Sequence, residues 1–151
     1  MTRPGYRSGV PTAAAPGSAS PDRNVPGVSL TVSRPRPAVV VVAIRGDLDL
    51  ATHHAVRACL DEQRRDPALA HLVIDVAEVG FLQSIGIALL IDTQQSMPAH
   101  QQVALLGVSH NRLVHHVLDI TGVLPRFTKI ESVQDLTDPS NPPDPTDPIT
   151  V

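Results

Sequence analysis

The chain has 151 residues and a formal net charge of −3, so it suits one domain with flanking segments and carries no strong basic field for nucleic acid. A single cysteine, Cys59, excludes an internal disulfide framework and a cysteine-based zinc site, which favours a reducing cytoplasm. No apolar run approaches the roughly 18 residues that span a bilayer, and residues 1–27 lack the apolar core of a secretory signal. We therefore expect a cytoplasmic protein with no membrane span and no direct contact with nucleic acid.

Proline marks both ends of the chain. Twelve of the fifteen prolines lie in residues 1–37 and 137–151, and such segments do not form long helices or central strands. We predict a disordered leader over 1–27, an ordered domain over 28–136 and a disordered, acidic, proline-rich tail over 137–151. Both tails are expected to be solvated spacers, with a docking peptide as the alternative.

The predicted elements then follow in chain order. Alternating residues predict an edge strand over 28–32, and a β-branched run predicts a central strand over 38–46. Apolar side chains at helical spacing predict a helix within 47–66, which ends before Pro67. The order is completed by a strand over 70–79, a helix from Ser84 to about residue 97, a strand over 101–108, a helix over 109–123, a short strand over 127–130 and a helical turn over 131–136.

This alternation of strands and helices predicts an α/β fold. We expect a single domain with a mainly parallel mixed sheet of about five strands, about four helices and right-handed crossovers. In the helix over 109–123, Ser109 is the predicted N-cap and Gly122 the predicted C-cap.

Seven histidines raise the question of a metal site. His53–His54 and His115–His116 are adjacent pairs, and neighbours on a helix point about 100° apart, so neither pair forms the i, i+4 clamp of a zinc helix. We expect structural or surface roles for these histidines, with no metal site and no cofactor.

Ser84 stands at the start of an apolar segment, within GFLQSIGIALLI over residues 80–91. As a helix N-cap its hydroxyl would contribute about 1 kcal/mol. A serine nucleophile at a strand–helix turn is a remote alternative, because the first glycine of GxSxG is absent. The helix that follows is apolar on nearly all sides, which indicates either deep burial or a second face for a partner.

Two carboxylates, Asp47 and Asp49, precede the first predicted helix within GDLDL over residues 46–50. Asp49 or Thr52 can cap that helix, and a negative charge there suits the helix dipole. Residue chemistry alone favours the capping role over a binding role.

Three motifs together resemble those of the STAS-domain anti-sigma factor antagonists. They are GDLD over 46–49, FLQSIGI over 81–87 and LDITGV over 118–123, and the resemblance extends over about 28–136. It implies a protein that binds an anti-sigma factor of the serine-kinase type and so frees a sigma factor. It further implies that the kinase phosphorylates Ser84, which ends binding, and that a phosphatase reverses this.

The resemblance has two departures. Gln83 replaces the family's aspartate, and Ile85 replaces its second serine or threonine. We expect a regulatory binding protein rather than an enzyme; the alternative is a STAS module that is never phosphorylated and serves as a scaffold or as a sensor of a small ligand such as a nucleotide. The predicted contact surface consists of Asp47, Asp49, Gln83, Ser84, Ile85, Gly86 and Ile87.

Overall fold

A six-stranded mixed sheet forms the centre of the computed structural model, which describes residues 23–136. The strands lie side by side in the order in which they occur along the chain. The first two strand pairs are antiparallel and the last three are parallel. The strands are β1 (Arg23–Val25), β2 (Val28–Arg36), β3 (Val39–Leu48), β4 (His71–Leu82), β5 (Gln102–Leu106) and β6 (Thr128–Ile130).

A helix follows each of β3, β4 and β5 and leads to the next parallel strand. These are α1 (His53–Arg64), α2 (Ser84–Gln95) and α3 (Arg112–Ile120). Right-handed crossovers that always step to the next strand place their helices on the same side of a sheet. One core accordingly joins all three helices to the sheet, through Val56, Leu60, Leu89, Leu90, Val114 and Leu118.

The opposite face of the sheet carries a smaller apolar cluster. A 3₁₀ helix, Val133–Asp135, lies at the end of the described chain, and Val133 and Leu136 pack against this cluster. Arg36 fastens the segment, because its Nη2 donates to the carbonyl oxygen of Val133 at 2.7 Å. The buried members of the cluster are Val39, Val41, Val73, Ala104 and Ile130.

The predicted α/β fold is confirmed, with six strands where about five were expected. Within residues 23–136 there are three α-helices and three short 3₁₀ helices, where about four helices were expected. The additional strand, β1, lies inside the predicted leader and pairs with β2 across a turn at Gly27, whose φ is +97°. The sheet therefore begins before the predicted boundary, and residues 1–22 and 137–151 lie outside the described part of the chain.

The start of α3 differs from the prediction. Ser109 lies in a 3₁₀ helix, where its hydroxyl donates to Oε1 of Glu131 at 2.8 Å. The N-cap is Asn111, whose Oδ1 accepts the Val114 N–H at 3.2 Å. Asparagine is as good an N-cap as serine, so local preference alone did not separate the two candidates. At the other end Gly122 adopts the left-handed conformation, one residue beyond the C-cap.

Candidate functional site

The carboxyl ends of β3 and β4 bring two of the sequence motifs together. Both strands extend beyond their predicted ends, and their parallel pairing places Asp47 opposite Phe81 and Leu48 opposite Leu82. The turn after β3 and the start of α2 therefore share one edge of the sheet, which we call the Ser84 edge (residues 47–51 and 81–88). Binding sites in open α/β sheets commonly lie outside the carboxyl ends of strands.

Two hydrogen bonds join the halves of the Ser84 edge. The Gln83 N–H donates to the Leu48 carbonyl oxygen at 3.0 Å, and Gln83 Oε1 accepts the Leu50 N–H at 3.2 Å. Gly86 permits the close approach of α2, because a Cβ there would lie 2.7 Å from Leu48 Cγ and 2.9 Å from the Leu48 oxygen. Glycine is thus required for packing at this position.

Ser84 is the first residue of α2, so the prediction that it caps the helix is wrong. Gln83 occupies the N-cap position with extended backbone, φ −87° and ψ 167°, and its side chain makes no capping hydrogen bond. The side-chain oxygen of Gln83 is instead bonded to Leu50. Ser84 is exposed, and its hydroxyl makes no hydrogen bond within residues 23–136. That hydroxyl is therefore accessible to another molecule.

The predicted cap of α1 also takes another form. Thr52 is at the N-cap position, but its hydroxyl donates to the Asp47 carbonyl oxygen at 2.7 Å and accepts the Asp49 N–H at 3.0 Å. Oδ1 of Asp49 accepts the N–H groups of Ala51 and Thr52 at 3.0 and 3.1 Å. Both side chains therefore bond to groups of the turn before the helix and not to the N–H groups of its first turn.

The predicted contact residues divide by burial. Asp47, Asp49 and Ile85 are half-buried, while Gln83 and Ser84 are exposed. Of the other two predicted residues, Gly86 is buried and Ile87 belongs to the main core with 8% exposure, so the structure places both beneath the surface. The exposed positions of α2 are small or polar, namely Ser84, Ala88, Asp92 and Gln95.

Two apolar side chains that the predicted surface omitted are exposed at the Ser84 edge. Leu50 is 68% exposed and Phe81 is 46% exposed. Phe81 faces away from the main core because side chains alternate along a strand and its neighbour Leu82 faces inward. Large apolar side chains left exposed at the carboxyl end of a sheet are candidates for contact with a partner. The alternation of side chains around Leu82 could have predicted that Phe81 is exposed, whereas no local sequence pattern indicated the exposure of Leu50.

The start of α1 adds a titratable group behind this edge. His53 is buried, and the centroid of its ring lies 3.9 Å from that of His54. Burial lowers the pKa of His53 below its ordinary value, and His54 and Arg57 lower it further, while Asp49 acts in the opposite direction. Throughout the part of the chain that the structure describes, no three His, Cys, Asp or Glu side chains are grouped to hold a metal ion.

The family model of the STAS domain matches residues 31–136, which is most of the chain. The chain belongs to the STAS domain family. Its β3–turn–α1 and β4–turn–α2 units place the recognised motifs at one end of the STAS sheet. None of the helices in residues 23–136 is long and apolar enough to cross a membrane.

Solved structures share this STAS fold. An anti-sigma factor antagonist from Mycobacterium paratuberculosis superposes with a TM-score of 0.63 at 22% identity, covering 82% of this chain and 94% of the other. The unphosphorylated form of the antagonist SpoIIAA, from Bacillus, gives a TM-score of 0.58 at 17% identity, covering 72% and 99%. The murine anion transporter Slc26a9 gives 0.54 at 19% identity, covering 79% of this chain and 21% of the transporter. No curated protein sequence gives a significant match.

Proposed function

We propose that this STAS domain protein is an anti-sigma factor antagonist. It binds an anti-sigma factor of the serine-kinase type through the Ser84 edge, and this frees a sigma factor for transcription in the cytoplasm. The observation that carries the proposal is the exposed, unbonded hydroxyl of Ser84 on an edge that also exposes Leu50 and Phe81. The similar SpoIIAA structure is known in both unphosphorylated and phosphorylated forms, which supports a phosphorylation switch here.

Phosphorylation of Ser84 would switch binding without unfolding the domain. A phosphate adds about 1.5 to 2 negative charges, and the first residue of a helix tolerates such charge because of the helix dipole. The same charge is unfavourable against an apolar partner surface around Leu50 and Phe81. If repulsion and desolvation cost about 4 kcal/mol, affinity falls roughly a thousandfold. A phosphatase would restore the binding form.

The role of Ser84 is that of a phosphate acceptor rather than a nucleophile of this protein. An activated serine needs a base within hydrogen-bonding reach, about 2.6–3.2 Å away, and no side chain of residues 23–136 bonds to the Ser84 hydroxyl. The chain then acts as a regulatory binding protein without a cofactor, and the kinase partner supplies the chemistry.

Intact mass spectrometry tests the switch directly. The purified protein is incubated with ATP and each serine-kinase anti-sigma factor encoded in its genome, and one partner is expected to add a single phosphate. Ser84→Ala should abolish that gain while binding the same partner normally. Ser84→Asp should weaken binding at least tenfold, about 1.4 kcal/mol, because it adds a charge at the contact. Gln95→Glu adds the same charge at the far end of α2 and should bind like the wild type.

A second pair of variants tests the location of the surface. Leu50 and Ile120 are exposed to nearly the same extent, 68% and 66%, but Ile120 ends α3. Leu50→Ala should weaken binding at least tenfold in calorimetry, while Ile120→Ala should leave it unchanged. Equal losses, or a loss with Ile120→Ala alone, would place the contact surface elsewhere.

A STAS module that is never phosphorylated remains the competing function. It is favoured by Gln83 and Ile85, which replace the residues expected beside the phosphorylated serine, and by the similar domain of an anion transporter. In that case no kinase adds phosphate, and a scaffold partner or a small ligand such as a nucleotide is the binding target.

A further inference from the structure

The side-chain amide of Gln83 has a defined orientation at the Ser84 edge. The backbone N–H of Leu50 is a donor, so the group that receives it at 3.2 Å must be the oxygen, Oε1. The Nε2 group, which carries two donor hydrogens, therefore points away from Leu50. Because Gln83 is exposed, these hydrogens face solvent or a partner.

The same hydrogen bond completes the set of bonds that hold the turn carrying Leu50 in place. Asp49 Oδ1 receives the N–H groups of Ala51 and Thr52, and the Thr52 hydroxyl receives that of Asp49. Gln83 Oε1 receives the remaining one, from Leu50. Every amide of this turn thus has a partner, and the exposed side chain of Leu50 is presented by an ordered backbone. A surface ordered before binding loses less entropy when a partner docks.

The charges of the edge indicate which partner group meets Gln83. Asp47 at the end of β3 and Asp49 in the turn after it both carry carboxylates at this edge, so a carboxylate on the partner would be repelled. A cation on the partner would face the donor hydrogens of Gln83 Nε2. A neutral main-chain carbonyl avoids both conflicts and accepts from Nε2.

We propose that Gln83 selects the partner of this protein: its oxygen holds the Leu50 turn against α2, and its Nε2 donates to a main-chain carbonyl of the partner beside an apolar socket for Leu50. The inference rests on the proposed function, because the partner is taken to be the anti-sigma factor. Gln83 acts through Leu50 as a positioning residue and contacts the partner as a specificity-determining one.

Two substitutions separate the two ends of the Gln83 side chain. Gln83→Glu keeps an oxygen for the Leu50 N–H but replaces the outer donor with a charged acceptor. Gln83→Met has similar length and removes both hydrogen bonds. Gln95→Glu is the matched control, since it makes the same chemical change at an exposed site of the same helix.

Amide hydrogen exchange measures the inner bond without any partner. The Leu50 amide should keep its protection in Gln83→Glu and lose it at least tenfold in Gln83→Met, with the amides of β4 unchanged in both. If Leu50 in Gln83→Met exchanges at the wild-type rate, Gln83 does not hold the turn and the inference is overturned.

Calorimetry with the anti-sigma factor that binds the wild-type protein measures the outer bond. Gln83→Glu should weaken binding at least tenfold, although the Leu50 turn stays ordered, and Gln95→Glu should not. Binding of Gln83→Glu that equals or exceeds the wild type would show a donor or cation on the partner and would overturn the assignment of a carbonyl. If the wild-type protein binds no anti-sigma factor, the proposed function itself fails and the choice of partner fails with it, while the exchange result still decides the inner bond.

Discussion

The helices α2 and α3 occupy equivalent places in the fold, but their N-terminal ends are stabilised differently. Each follows a parallel strand, β4 or β5, on the same face of the sheet. At α3 the half-buried Asn111 caps the helix with Oδ1, and its Nδ2 donates to the carbonyl oxygens of Val76, Ala77 and Val79 in β4, at 2.9, 3.2 and 2.8 Å. At α2 no such cap exists, and exposed Ser84 occupies the first turn.

The contrast separates a helix start that is fixed by side-chain hydrogen bonds from one that leaves a hydroxyl exposed. The side chain of Asn111 satisfies groups on two elements, so α3 is anchored to β4 by half-buried polar contacts. At the start of α2, Gly86 allows close packing on Leu48, and the side chain of Gln83 bonds to Leu50. The hydroxyl of Ser84 is left exposed. Stability and accessibility are thus assigned to different helix starts of the same sheet.

The largest expected effect is at Asn111. Asn111→Ala removes the cap and leaves three carbonyl groups without this donor, so the free energy of unfolding should fall by about 2–3 kcal/mol. Gln83→Ala removes one exposed hydrogen bond at the matching position of α2 and should cost less than about 1 kcal/mol. Urea unfolding of both variants measures the difference, and equal costs would break the contrast between the two helix starts.

Gly86→Ala should have the next largest effect. Its Cβ would meet Leu48 Cγ at 2.7 Å and Leu82 Cδ1 at 2.9 Å, so α2 must shift outward at a cost of about 1–3 kcal/mol. Gly122→Ala is a useful control, since no atom lies within 4 Å of a Cβ at that position. Its expected destabilisation of about 1 kcal/mol comes from its φ of +77° alone. A shifted α2 should also change the exchange rate of the Leu50 amide, which the Gly122 variant should not do.

A change of pH should have a smaller effect on stability, through His53 at the start of α1. Because the pKa of His53 is lowered in the folded protein, the unfolded chain binds the proton first as pH falls below about 6.5. The contribution of neutral His53 to stability is therefore complete above pH 6.5 and is lost as pH falls through the lowered folded pKa.

Unfolding free energies measured across this range should fall less steeply with acid in His53→Gln than in the wild type. His100→Gln, at an exposed position outside the helices, serves as the comparison. Identical slopes for the wild type and His53→Gln would show that burial of His53 has no energetic consequence.

The smallest expected effect is the most informative about Ser84. Because its hydroxyl bonds nothing within the described chain, Ser84→Ala should change stability by no more than about 0.5 kcal/mol in thermal or urea unfolding. A loss near 1 kcal/mol would restore the capping role that the sequence suggested and would make the two helix starts more alike.

Local patterns predicted most of the fold. The β-branched runs of β3 and β4 and the helical spacing after them are visible in the sequence because burial imposes a period on each element. β1 was missed because three residues beside a proline have no pattern of their own; pairing with β2 and the bond from the Asp47 N–H to the Gly27 oxygen hold them in place.

The site was predicted less completely than the fold. Motif spacing placed Ser84 at a strand–helix junction, but its position relative to the cap depends on Gln83, whose side chain bonds a residue 33 positions away. Such contacts are invisible to local preference. The exposure of Leu50 likewise follows from the pairing of β3 with β4 and the turn that this pairing leaves at the strand ends.

The order of the strands has a consequence for biosynthesis. Each strand pairs with the one synthesised just before it, so the sheet can grow as the chain leaves the ribosome, without waiting for a distant segment. The Ser84 edge is complete once α2 has emerged, when β4 is paired with β3 but its other side still has no strand beside it. β5 and the Asn111 side chain then pair with groups along that edge, so fewer remain for a strand of a neighbouring nascent chain.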